Sequence, residues 1–436
     1  MTTKYLAPDY VYTPQGWLNN ALIALHDDGC FGEITRRGPD QVLPGALVDL
    51  AGMALLPGFV NTHSHIFQRT LRGHAQRALA GQNTFWTWRT AMYAAAQQLD
   101  PASLYNQALH AYREMLAAGY TSVGEFHYVH HQPSGKPYAQ PNAMAEAVLH
   151  AAQDAGIRMV LLMTAYARGG FDQPPGVEQY RFCDPSVETY LERVEALRLA
   201  GFAVGVAPHS VRAVPAQWLR AIADYSKAHQ LPLHIHADEQ PAEVEQCRAF
   251  YGCTPIELLA RCGVLGPFTT IVHATHANQT ELSLLARDGC TVCVCPTTEG
   301  DLGDGIAPYA ELLAAGIPLA IGSDSNTRLD PFEELRWAEY SARMRYQRRR
   351  VLVASESSSP GPLLLDYGTR RGAAALGLRS GSIAPGLPAD FIAIDLAHPM
   401  LYGWNEADLL DMLFFGVSAA VIRQVWVQGR RIYDAT

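Results

Sequence analysis

Lysine is almost missing from this chain: only Lys4, Lys136 and Lys227 occur among its 33 basic residues, whereas histidine occurs 16 times. With a formal net charge of −9 and acidic and basic residues interspersed, a continuous electropositive face for a phosphate backbone is excluded. Nucleic acid is not an expected partner. Long apolar runs are missing too, since no stretch reaches the ~18 uninterrupted apolar residues of a membrane span. The start, MTTKYLAPDY, lacks the charged-then-apolar layout of a signal peptide. The expectation is a cytoplasmic enzyme with no membrane partner. Cysteine is sparse, eight in 436 residues, too few for a disulfide framework. Cys290, Cys293 and Cys295 (CTVCVCP) contain a C-x-x-C, but no second Cys/His pair at zinc-finger spacing follows. They read as buried thiols on an apolar strand. Charge is thin, 17% against a typical ~25%, so part of the surface is expected to be buried between subunits of a homodimer. Arg343, Arg345, Arg348, Arg349 and Arg350 follow a helical pattern and read as a solvated or intersubunit helix face.

What is present is a large apolar fraction, 48%, enough for a sizeable core. Residues 1–57 read as short strands with turns between them: YVYT, a Pro-Gln-Gly turn, ALIAL, an Asp-Asp-Gly turn, then GEIT. From 381 the texture returns, with DFIAIDL and then AVIRQVWVQGRRIYD, whose Gln428-Gly429 marks a hairpin turn. Between them eight apolar runs alternate with helix-length sequence: LLPGFVNTHSH, TSVGEF, RMVLLMTAY, AVGVAPHS, LPLHIHADE, TTIVHATH, CTVCVCP and PLAIGSDS. The expected fold class is α/β: a (β/α)8 TIM-like barrel over 58–380, with a small β-sandwich domain built from both termini, 1–57 and 381–436.

In such a barrel the chemistry sits at the C-terminal strand ends. The first run ends in His63-Ser64-His65, the fourth in His209, the fifth in His234-Ile235-His236, the sixth in His273 and the eighth in Asp324. Strand period two sends His63 and His65 to one side. With His236 and Asp324 they make a three-histidine, one-carboxylate set suited to Zn2+. Spacing alone leaves His234 and His236 equivalent; Glu239, three residues past His236, favours the latter. An isolated His-x-His is often meaningless, but this one does not stand alone. A metal lowers the pKa of a bound water towards ~7, and Glu239, His273 and Asp324 are the candidates for moving its protons. No lysine ends an interior strand, so no carbamylated bridge between two metals is available, and one metal per subunit is expected.

These residues carry a resemblance. MALLPGFVNTHSH, HIHADE, IVHATH, GSDS and SGSIAPGLPADFIAID together resemble the amidohydrolase superfamily, in its mononuclear deaminase branch. More narrowly, HSHIFQR, FWTWRTAMY, EFHYVHH, APHSVRAV, HADEQ and CPTTEGDLGDG are similar to the N-formimino-L-glutamate deiminases of histidine degradation. The resemblance implies one zinc, or iron, on His63, His65, His236 and Asp324, with Glu239 and His273 handling protons. It implies substrate contacts from Gln68, Arg89, Tyr128, His209 and Arg212. A small dicarboxylate substrate suits two guanidiniums, which bind carboxylates through paired, charge-assisted hydrogen bonds. Arg89 taken alone would equally stack on Trp86 or Trp88. The rivals are a deaminase of an aminated base or adenosine-like substrate on the same scaffold, and a non-catalytic relative, which would have lost ligands. Two positions depart from the family pattern. Asn326 stands where a histidine is expected, and HADEQ carries Asp238, whose side chain is expected to point away from the metal.

Overall fold

The computed structural model describes residues 4–38, 43–74, 76, 85–355 and 357–435, with the backbone alone for 85–87. The N-terminal segment forms β1 (Lys4–Thr13), β2 (Gly16–Asn19), β3 (Ala21–Leu25), β4 (Phe31–Arg36) and β5 (Leu47–Pro57). The eight apolar runs become β6 (Phe59–Ser64), β7 (Tyr120–His127), β8 (Arg158–Ala165), β9 (Val204–Pro208), β10 (Leu233–Ala237), β11 (Thr269–His273), β12 (Thr291–Val294) and β13 (Leu319–Ile321). The C-terminal segment adds β14 (Phe391–Asp395), β15 (Ile422–Val427) and β16 (Arg430–Asp434).

The terminal strands share one hydrogen-bonded sheet in the order β16-β15-β14-β5-β1-β3-β4, with β2 on β1. Alternation explains how it serves two cores. On β14, Phe391 and Ala393 join Leu6, Val11, Ile23, Phe31 and Leu55 in a core of the sheet's own. Ile392 and Ile394 face the other way, into the barrel core with Ala54 and Leu56. The β15–β16 connection is the two-residue hairpin expected from Gln428-Gly429, with φ of 47° and 70°, as a type I′ turn requires.

The barrel sheet runs β6 to β13 in chain order, parallel throughout. A parallel bridge between Ser64 and Asp324 joins its two edges. The strands are buried almost end to end, as a parallel sheet covered by helices must be. The arginine run is corrected in one respect: the helix Pro331–Tyr346 holds Arg343 and Arg345, but Gln347 leaves it in a left-handed conformation, φ 50°. Arg348, Arg349 and Arg350 therefore lie past its end. Arg343 pairs with Glu339 at 2.7 Å, one helical turn back.

Candidate active site

The site is built on the seam where the barrel closes. The Asp324 N–H donates to the His63 carbonyl at 3.0 Å, and the His65 N–H donates to the Asp324 carbonyl at 2.8 Å. Backbone hydrogen bonds thus clamp the His-x-His motif to the carboxylate from the far end of the barrel. His236 joins them from β10, and the donor atoms of His63, His65, His236 and Asp324 all lie within 4.8 Å of one another, every residue buried.

The hydrogen atoms can be placed by elimination. His65 Nδ1 lies 2.9 Å from the Phe126 carbonyl and His236 Nδ1 lies 2.9 Å from the His209 carbonyl. A carbonyl only accepts, so both Nδ1 atoms carry a proton, and it is Nε2 that holds the lone pair of the neutral ring. Those lone pairs face each other at 3.3 Å, and His63 Nε2 stands 3.1 Å from each. Burial depresses the His63 imidazole to about 3, so it does not supply a proton to hold the group together. Three imidazoles and a carboxylate turned inward call for a cation. Bonds of ~2.0–2.1 Å to a tetrahedral ion place ligand atoms about 3.3–3.4 Å apart, close to the spacing found. His234, two residues nearer the strand's start, instead faces the Ala375 carbonyl at 3.1 Å. Register separates the two histidines that spacing left equivalent.

Glu239 and His273 flank this cluster. His273 Nε2 is 3.8 Å from Glu239 Oε1 and 3.9 Å from Asp324 Oδ2, and its Nδ1 is 3.3 Å from Glu299 Oε1. Against burial, which lowers it, Glu239 and then Glu299 and Asp324 hold the His273 imidazole well above its ordinary pKa. Burial raises the Glu239 carboxyl. Two adjacent groups shifted this way suit proton transfer. Cys295 also approaches His273 and Asp324, but burial and Cys293 keep its thiol protonated, so it offers no thiolate.

A pocket opens over these groups, and Gln68, Arg89, Tyr128, His209 and Arg212 all line it. Tyr128 accepts from Gln68 Nε2 at 2.9 Å. Arg212 is held by Glu243 at 3.3 Å and Glu239 at 3.8 Å, so its charge is shared between two buried carboxylates. The Arg89 guanidinium lies 5.1 Å from the centre of the Tyr93 ring, one helical turn on in the same motif; the Trp86 side chain lies outside the described residues. Trp88, beside Arg89, lines it as well, and Tyr93, Tyr166, Met92 and Leu302 complete the wall. The sequence marks no role for these four, since an aromatic or apolar residue at such a position reads equally as core.

The comparisons agree with this geometry. The model of the amidohydrolase family matches residues 54–432. The chain belongs to the amidohydrolase family. A formimidoylglutamate deiminase of Pseudomonas aeruginosa is 40% identical over 96% of this chain and 92% of its own. An 8-oxoguanine deaminase of the same organism is 29% identical over 92% of this chain and 87% of its own. A solved amidohydrolase from Brucella melitensis superposes with a TM-score of 0.89 at 34% identity, covering 98% of this chain and 94% of that one. This amidohydrolase is accordingly a hydrolase acting on C–N bonds, with a buried site for a divalent metal.

The two departures from the family pattern also find their places in this amidohydrolase. Asn326 adopts φ 58°, a left-handed conformation that asparagine tolerates better than most residues. Its side chain accepts from Ser323 Oγ at 2.5 Å and donates to Ser64 Oγ at 3.1 Å, and Arg69 donates to its carbonyl. It buttresses the seam. Asp238 sits among Glu281, Glu243 and Arg248, and burial followed by Glu281 pushes its carboxyl well above the ordinary range. Asp238, His273, Ala274, Asp324 and Asn326 all have positive φ. Such strain costs about 1–3 kcal/mol per residue and collects where function demands it.

Beneath the seam, burial raises the Glu125 carboxyl to about 8 while its Oε1 accepts from the Ile66 N–H at 2.7 Å. The folded state therefore binds a proton that the unfolded chain, with an ordinary value of 4.5, has lost. Stability should fall as pH rises from the unfolded value through the folded one. Glu125→Gln keeps an acceptor for Ile66 and removes the titration. Its melting temperature is expected to match the parent near pH 5 and exceed it by several degrees at pH 8.5; parallel pH profiles would refute this.

Proposed function

We propose that the enzyme hydrolyses N-formimino-L-glutamate to N-formyl-L-glutamate and ammonia, with one Zn2+ per subunit on His63, His65, His236 and Asp324, a set that also accepts Fe2+. The observation that carries this reading is that Arg89 and Arg212 line the same pocket as the metal ligands. Two guanidiniums match a substrate with two carboxylates. The 40% identity to a formimidoylglutamate deiminase supports the same substrate. A divalent ion bound there would polarise a water and lower its pKa towards neutrality.

The chain's own residues then divide the work. Glu239 accepts the proton released by the attacking water and passes it to the imino nitrogen. His273, steadied at Nδ1 by Glu299, keeps Nε2 turned towards the reacting centre and stabilises the developing negative charge. The first proton turns the imino nitrogen into an amino group; the second, from the hydroxyl of the tetrahedral adduct, makes ammonia the leaving group, and the C–N bond breaks as that oxygen becomes the formyl C=O. Every residue named belongs to one chain, so a homodimer would not be needed to complete the site. All eight cysteines are free, which supports a cytoplasmic setting. No helix among the described residues is long and apolar enough to cross a membrane.

The test is ammonia release from N-formimino-L-glutamate beside guanine, 8-oxoguanine and adenosine. Release confined to a base would overturn the reading. Arg89→Met is expected to lower kcat/KM for the dicarboxylate by about 10²-fold while leaving any activity on a base almost unchanged. Arg212 is the poorer probe, because its removal takes the buried guanidinium from Glu243 and leaves Glu239 with His273 alone, at a cost of about 3–5 kcal/mol.

A further inference from the structure

We propose that Tyr93 and Tyr166 form, with Arg89, a carboxylate-binding subsite, and that Gln179 sets the direction in which the two phenolic protons point. This rests on the dicarboxylate reading above. Gln179 belongs to the segment that follows β8 and is buried there. Its Oε1 lies 2.8 Å from the Gly176 N–H, which can only donate. The amide is thereby oriented: Oε1 accepts and Nε2 donates. Nε2 reaches Tyr166 Oη at 2.8 Å and Tyr93 Oη at 3.1 Å. Backbone closes in behind it, since a Cβ on Gly169 would stand 2.8 Å from Gln179 Oε1 and 2.6 Å from the Pro174 carbonyl.

Arg89 approaches the same two oxygens, Nε donating to Tyr93 Oη at 2.5 Å and Nη2 to Tyr166 Oη at 3.4 Å. A phenol oxygen has two lone pairs and one proton. The lone pairs of each tyrosine are taken by Gln179 and Arg89, so each has only its proton left to offer. The two oxygens are 3.4 Å apart, and with those lone pairs taken neither has one to spare for the other's O–H. Both phenolic protons are therefore directed elsewhere, and both rings line the pocket beside Arg89. Burial and Tyr166 hold the Tyr93 phenol above its ordinary value, so it remains a donor. Phenolic O–H groups beside a guanidinium form a donor-only surface, suited to the acceptor-only oxygens of a carboxylate. Gln179 touches no substrate in this scheme and is a positioning residue.

The test is a mutant cycle. Gln179→Glu keeps the acceptor for Gly176 but replaces the donating end with an acceptor, turning the phenolic protons away from the pocket. KM for N-formimino-L-glutamate, and the dissociation constant of glutarate used as a competitive probe, should rise about 10–30-fold, with kcat within about threefold. In a Tyr93→Phe/Tyr166→Phe background, with no protons to turn, the same change should add less than about twofold. A Gln179→Glu effect undiminished in that background would mean plain charge repulsion and overturn the proposal, as would an unchanged KM and glutarate affinity. If the parent releases no ammonia from N-formimino-L-glutamate but glutarate affinity still follows the cycle, the substrate reading fails and the subsite stands.

Discussion

Asp324→Asn is expected to lower ammonia release by about 10³-fold or more and to strip most of the bound metal. The asparagine keeps the shape of the side chain, and the backbone bonds to His63 and His65 do not depend on it, so the barrel seam should stay closed. What goes is the only negative charge among three imidazoles. Against burial, which raises it, the adjoining His63 and His65 imidazoles hold the Asp324 carboxyl well below its ordinary range, so it carries its charge. Metal analysis by mass spectrometry, with the rate of ammonia release on the same sample, checks both halves. Full metal occupancy with a rate near the parent's would rule out Asp324 as a ligand.

Glu239→Gln should behave differently, with kcat falling by about 10²–10⁴-fold and the metal retained. Glu239 lies outside the four-residue cluster, and its carboxylate meets His273 at 3.8 Å and Arg212 at 3.8 Å. The amide is nearly the same size but cannot take up and return a proton. The two variants thus separate holding the metal from moving protons. Loss of metal in Glu239→Gln would place this carboxylate among the ligands and remove it from its assigned role.

Much of this site was legible because a barrel gathers the ends of its strands. Once eight apolar runs are recognised, His63, His65, His236, His273 and Asp324 stand at one mouth whatever their separation in sequence. Register was legible only in part: Glu239 favoured His236, which reaches the cluster, but nothing in the sequence showed that His234 turns to the Ala375 carbonyl. Residues that act through others were also hidden. Glu299 lies in the short helix Pro296–Leu302 and Gln179 in the segment after β8, where no periodicity marks a polar side chain as oriented. Asn326 looked like an anomaly because its left-handed backbone and its bonds to Ser323 and Ser64 exist only when the seam is closed.

The sheet made from both termini has a consequence for how the chain is born. Its middle strand, β5, is flanked by β1 from the N-terminal end and by β14 from the C-terminal end. A ribosome adding about 5–20 residues per second makes β14 some tens of seconds after β5, when every barrel strand already exists. Until then β5 carries a bare strand edge, a template for pairing with another nascent chain. Shortening the chain before Phe391 would make that interval permanent, leaving the barrel strands complete in sequence but β5 exposed to aggregation.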